Sequence, residues 1–139
     1  MSLPHPESAP ATRHQNGALS ALHAWVDAVN RHDLEAIVAI FAPDASFFGT
    51  STQALVSSSE GIRQYFDAVL KNYVPLKVAL GLVTISELSP DSAVITGYDK
   101  WQVTLNGESI EGMGRLSVAV ALRDDHWRII SFHRSAMPD

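Results

Sequence analysis

The sequence predicts an α+β domain, in which helices from the first half of the chain pack on one face of a mainly antiparallel sheet from the second half. Up to about residue 72, apolar residues recur every three or four positions, as they do on the buried face of a helix. From Pro75 onward, four segments rich in Val, Ile and Thr are separated by turn signals. A helical half followed by a stranded half is typical of this fold class.

The first two predicted helices are short and amphipathic. The first spans about residues 18–31, and its apolar face consists of Leu22, Trp25, Val26 and Val29. Asp33 then caps a second helix, because its carboxylate can accept the free N–H groups of the first turn, and Pro43 prevents that helix from continuing. The predicted buried face of this second helix consists of Leu34, Ile37, Val38 and Phe41.

A short strand and a third helix complete the first half. The segment "ASFFG" (45–49) predicts the strand. Ser57 followed by Glu60 has the spacing of a capping box, which predicts a helix start. In the second half, Asn106-Gly107 predicts a tight hairpin, because both residues tolerate positive φ.

Composition narrows the class of protein. The chain has 139 residues, a net charge of −5 and no cysteine, which argues against a nucleic-acid binder and excludes disulfides and thiolate chemistry. The six histidines show no i, i+4 pair, so we expect no metal site and no cofactor. We expect a disordered leader over residues 1–17 and a single domain over 18–139. With no apolar run of signal or membrane length, a cytoplasmic protein is the expectation.

Two charged residues interrupt apolar strand faces. Asp99 shares a face with Trp101 and Val103, and Arg134 shares one with Phe132 and Ile130, whereas Ile129, Ser131 and His133 fall on the other face. A buried carboxylate or guanidinium needs a partner. Two interpretations stay open: a structural pair, formed by Arg134 with Asp99 or Asp139, or a pocket in which Arg134 meets an anionic ligand.

The predicted strand "IEGMGRLSVAVALR" (110–123) has one face of small side chains. Ser117, Ala119 and Ala121 alternate there with larger apolar residues. Such a flat face can pack against the sheet of a second copy, or it can be the solvated face of an antiparallel sheet. A homodimer formed through the sheet is therefore one of two interpretations of this face.

The order of elements and three segments resemble the NTF2-like superfamily over residues 18–138. These segments are "FAPDASFF", "EGIRQYFDAVL" and "LRDDHWRIISFHRSAMP". Within it, the chain is similar to SnoaL-like domains and to the association domain of calcium/calmodulin-dependent protein kinase II and its bacterial stand-alone relatives. The resemblance implies a cone, with helices on a strongly curved sheet around a pocket that in association domains accepts small carboxylates.

Position by position, the resemblance implies that Arg134 and Tyr65 belong to that pocket. Association domains have further arginines in the pocket. In this sequence, one of those positions falls at about Asp99, beside Lys100, and another falls near Val118, so neither is an arginine. Arg115 matches a position of SnoaL-like domains. The arginine cluster is therefore only partly present.

Two functions follow as expectations. The first is a small-molecule-binding, oligomerising domain whose partly apolar pocket accepts a small carboxylate. Its expected ligand-binding residues are Arg134, Tyr65, Tyr98, Trp101, His133, Arg115, Phe47 and Trp25. The alternative is an isomerase or cyclase in which Asp99 shuttles a proton. We expect neither nucleic acid nor membrane as a partner.

Overall fold

The computed structural model of the chain describes residues 13–139, and it describes side chains from residue 17 onward. The helices are α1 (Arg13–Asn30), α2 (Leu34–Ile40) and α3 (Ser59–Asn72). The strands are β1 (Phe41–Phe48), β2 (Leu76–Ser89), β3 (Ser92–Leu105), β4 (Glu108–Arg123) and β5 (His126–Ala136). Helix α1 thus begins five residues before the predicted start, and residues 1–12 of the expected leader lie outside the described part.

Helix caps explain where α2 and α3 begin. Asp33 accepts a hydrogen bond of 3.1 Å from the backbone N–H of Ala36, as predicted. The cap of α3 was predicted one residue too early, because Ser58, and not Ser57, accepts from the backbone N–H of Gly61 at 3.0 Å. Glu60 lies in the first turn of α3, where its negative charge stabilises the helix.

The end of α2 also differs from the prediction. Phe41 is buried as expected, but it already has extended backbone angles and begins β1. The helix therefore ends before Pro43 is reached. A residue that precedes proline disfavours helical angles, so Ala42 is better accommodated in the strand.

The five strands form one open, mixed sheet in the order β1-β5-β4-β3-β2. Strand β1 pairs with β5 in parallel, and the other neighbours are antiparallel. The predicted α+β class with a mainly antiparallel sheet is confirmed. The predicted hairpin is present between β3 and β4, where Asn106 and Gly107 have φ values of 52° and 80°.

β-bulges at Gly81 and Leu82 in β2 and at Ile130 in β5 bend the sheet and change which residues face inward. In β2, Gly81 and Leu82 together lie opposite Tyr98. In β5, Ile130 is the extra residue, because Ile129 pairs with Val120 while Ser131 pairs with Ala119. A bulge shifts the alternation by one residue. The prediction that Ile129 faces away from the core was therefore wrong, and Ile129 is fully buried.

The core lies between the inner face of the sheet and the helices. An aromatic cluster forms its centre, with ring centroids 4.8–6.4 Å apart, and consists of Trp25, Phe41, Phe47, Tyr65, Phe66 and Phe132. The outer face of β2, β3 and β4 carries no helix of the described chain. Within residues 13–139, no helix combines the length and the apolar character needed to cross a membrane.

Candidate functional site

A buried ion pair joins the two charged residues that interrupt the apolar strand faces. The Nε of Arg134 donates to Oδ2 of Asp99 at 2.5 Å, and Nη2 donates to Oδ1 at 2.6 Å. The side chain of Asp99 is fully buried and that of Arg134 is 17% exposed. Both carboxylate oxygens are thus held by one guanidinium in the two-pronged geometry that makes such pairs strong.

The register of three strands brings this pair together across β4. Asp99 of β3 lies beside Gly114 of β4, and Arg134 of β5 lies beside Leu116, the next inward-facing residue of β4. The Arg134 side chain therefore passes diagonally over Gly114 to reach Asp99. A Cβ atom on Gly114 would lie 2.6 Å from Cζ and 2.8 Å from Nε of Arg134, so a larger residue at this position would force the guanidinium to shift.

Arg134 also lines a cavity between the sheet and the helices. The cavity has a volume of about 230 Å³. Its walls are mainly aromatic and aliphatic, and are formed by Trp25, Val29, Thr50, Ser51, Tyr65, Phe66, Val69, Tyr73, Leu76, Val78, Trp101, Val103, Phe132, Arg134 and Ala136. Arg134 is the one charged residue of this set. A largely apolar cavity with a few polar groups is the usual form of a small-molecule site.

The polar groups at this cavity are chiefly hydroxyls, which both donate and accept hydrogen bonds, and the N–H groups of Arg134. Nη1 of Arg134 donates to Oγ1 of Thr50 at 2.7 Å. Since a guanidinium has five N–H groups and three are used by Asp99 and Thr50, two remain without an acceptor among the described residues. The hydroxyl of Ser51 donates to that of Tyr65 at 3.4 Å.

Trp25 has a buried N–H group beside the cavity. Its side chain is 3% exposed, yet its indole Nε1–H has no hydrogen-bond partner among the described residues. Buried donors are almost always paired in native proteins, and an exception calls for water or a ligand group. Trp25 lines the cavity with other atoms of its side chain, whereas Nε1 itself is enclosed by protein atoms and is not open to a molecule in the cavity.

The cavity brings together four of the eight ligand-binding residues expected from the sequence: Arg134, Tyr65, Trp101 and Trp25. Phe47 lies one layer deeper and supports the wall, since its ring centroid is 4.8 Å from that of Tyr65 and 5.2 Å from that of Phe132. Asp99 lies beneath Arg134 and is absent from the set of described residues that line the cavity.

The remaining three expected residues lie on the opposite face of the sheet. Tyr98, Arg115 and His133 line an outer groove together with small polar side chains. There Nε of Arg115 donates to Oγ of Ser135 at 3.2 Å, and the ring of His133 lies 5.4 Å from that of Phe48. These three residues cannot share a ligand with Arg134, because the sheet separates them.

Three residues of the site were not predicted from the sequence: Thr50, Gly114 and Tyr73. Thr50 lies in a loop of small polar residues after β1. Its contact with Arg134 of β5 is distant in sequence, so no local pattern predicts it. Gly114 carries a weak signal, because a glycine within a strand often marks a close approach of another group. Tyr73 is the C-cap of α3, and it reaches the cavity through the tertiary placement of that helix, which no local pattern indicates.

Comparison with proteins of known structure supports the fold. A candidate calcium/calmodulin-dependent protein kinase II association domain from Xanthomonas campestris is 27% identical, with a TM-score of 0.82 over 94% of this chain and 91% of that one. A candidate dehydratase of the NTF2-like family from Streptomyces avermitilis is 15% identical, with a TM-score of 0.81 over 91% and 97% of the two chains. A hexachlorocyclohexane dehydrochlorinase from Novosphingobium barchaimii is 12% identical, with a TM-score of 0.77 over 89% and 86%.

The family assignment comes from the sequence profile. Among curated proteins, none matches the chain. The profile of the SnoaL-like domain matches residues 18–139, nearly all of the described part. The resemblance that "FHRSAMP" and the order of elements indicated is thereby confirmed. This chain belongs to the SnoaL-like domain family, and its fold is the NTF2-like cone.

Proposed function

We propose that this domain binds a small, mostly apolar molecule in the inner cavity and holds an acceptor group of that molecule, a carbonyl or a carboxylate, with Arg134. The observation that carries the proposal is the combination of a mainly apolar cavity of about 230 Å³ with two N–H groups of Arg134 that have no acceptor among the described residues. A cavity of about 150 Å³ elsewhere is known to accept benzene. The extra volume here suits one aromatic ring with a small polar substituent.

Direct titration tests the proposal. The probes are acetophenone, which has a ring and a carbonyl, and ethylbenzene, which has the ring alone. We expect acetophenone to bind more tightly by about tenfold, since a buried donor gains a partner. Nuclear magnetic resonance titration of the full chain gives both affinities. The absence of binding by either probe would contradict the proposal.

Two variants with a matched control locate the binding site. Val69→Trp places an indole inside the cavity and should abolish binding, whereas Gln64→Trp places the same side chain on the exposed face of the same helix and should leave binding unchanged. The double variant Asp99→Leu/Arg134→Met removes both charges together, so neither is left buried alone. We expect it to lose the preference for acetophenone while it still binds ethylbenzene.

An enzymatic function has less support from the geometry. The names of the structural neighbours include a dehydratase and a dehydrochlorinase, which favour lyase chemistry for the fold. A proton-abstracting base must lie within hydrogen-bond reach of the substrate. Asp99, the base expected from the sequence, has both oxygens bound by Arg134 and lies outside the cavity lining. Among the described residues of that lining, none is a carboxylate or a histidine.

For assembly, we favour a homodimer formed through the outer face of the sheet. This face combines small side chains, such as Ser117, with exposed apolar ones: Leu82 is 76% exposed and Met113 is 39% exposed. Native mass spectrometry should give a dimer for the wild type. Ser117→Arg should shift it to the monomer, while Ala68→Arg on the helical side should not, and a monomeric wild type would refute the assembly.

A further inference from the structure

The charge at the cavity is already balanced before any ligand enters. Arg134 is the one charged residue among the described residues of the lining, and both oxygens of Asp99 engage its guanidinium. The two together carry no net charge. The free N–H groups of Arg134 can still donate, but they belong to a neutral pair rather than to an uncompensated cation.

A carboxylate entering this cavity would be a third charge. It would meet walls that are mainly aromatic and aliphatic, with Thr50, Ser51 and two tyrosine hydroxyls as the other polar side chains. Burial of a net negative charge in such surroundings is costly, whereas a neutral carbonyl that accepts an N–H bond loses little. The buried Asp99 carboxylate would in addition repel a second anion held by the same guanidinium.

We infer that Asp99 acts as a specificity-determining residue, which makes the cavity select neutral carbonyl compounds carrying one ring over the corresponding carboxylates. Asp99 does so by neutralising Arg134 and not by touching the ligand. This inference rests on the proposed function and replaces the small carboxylate implied by the resemblance with an amide, ketone or ester of similar size. It predicts that loss of the Asp99 charge alone reverses the preference.

The test compares benzamide with benzoate, which have the same number of heavy atoms and nearly the same shape but differ by one charge. In the wild type at neutral pH, we expect benzamide to bind at least tenfold more tightly. In Asp99→Asn, the guanidinium charge is no longer balanced, and benzoate should gain at least tenfold relative to benzamide. In the double variant Asp99→Leu/Arg134→Met, which is neutral again, benzamide should keep its advantage.

Different outcomes test the inference about Asp99 and the proposed function separately. Equal or tighter binding of benzoate by the wild type, or an unchanged ratio in folded Asp99→Asn, would overturn the inference while leaving the proposed cavity intact. Failure of benzamide, benzoate and acetophenone alike would instead remove the proposed function. Should Asp99→Asn not fold, calorimetry on the wild type alone gives a second test, in two buffers at about pH 5.5, where free benzoate is ionised. Uptake of a proton with benzoate binding supports a cavity that takes the neutral acid, and binding without proton uptake contradicts it.

Discussion

Gly114→Ala tests whether the Asp99–Arg134 pair depends on the empty space above Gly114. A Cβ atom there would lie 2.6 Å from Cζ and 2.8 Å from Nε of Arg134, so the guanidinium must move. It cannot move without breaking at least one of its two hydrogen bonds to Asp99, whose side chain is fully buried. The substitution therefore measures how much the ion pair contributes to the free energy of unfolding, without removing either charge.

The magnitude follows from two opposing effects. Separation of a buried ion pair costs about 3–5 kcal/mol, because an uncompensated charge remains in the interior. Alanine in a strand is favoured over glycine by roughly 0.5–1 kcal/mol. We expect the free energy of unfolding to fall by about 2–4 kcal/mol, and the melting temperature to fall by roughly 6–20 °C.

The assay is urea unfolding followed by tryptophan fluorescence, in two backgrounds. In the Asp99→Leu/Arg134→Met background the guanidinium is absent, and Gly114→Ala should cost less than about 1 kcal/mol. Gly81→Ala is the matched control, since its Cβ would meet its nearest atom, the backbone oxygen of Tyr98, at 3.2 Å and would disturb no ion pair. An equal loss from Gly114→Ala in both backgrounds would refute the reasoning, because the cost could not then come from the pair.

Two further variants test the helix cap and the hydrogen bond between Arg134 and Thr50. Ser58→Ala should lower the free energy of unfolding by about 1 kcal/mol through loss of the α3 cap, whereas Ser57→Ala should change it by a few tenths at most, as thermal unfolding would reveal. Thr50→Val removes the acceptor for Nη1 of Arg134, and we expect a loss of about 0.5–1 kcal/mol in urea unfolding, because Thr50 is exposed and water can replace part of the bond. No measurable change would contradict a role for this bond.

Strand alternation by itself identified both members of the central pair as charges on apolar faces. It also separated Tyr98 and His133 from them, because odd and even residues of a strand point to opposite sides. The resemblance to association domains pointed to Arg134 and Tyr65, which both line the cavity. Tyr98 was expected to bind the ligand although alternation places it on the face opposite to Asp99. In the structure, the sheet separates Tyr98 from Arg134.

What the sequence by itself determined is therefore local: the order of helices and strands, the Asn106-Gly107 hairpin and the two charges in apolar rows. These features depend on residues a few positions apart, where periodicity and turn preferences act directly. Only the tertiary structure decided that Arg134 reaches Asp99 rather than Asp139, because that contact depends on the register of three strands and on the space above Gly114. The bulge at Ile130 was likewise decided only by the tertiary structure. One extra residue there turns Ile129 toward the core, and no local sequence pattern predicts it.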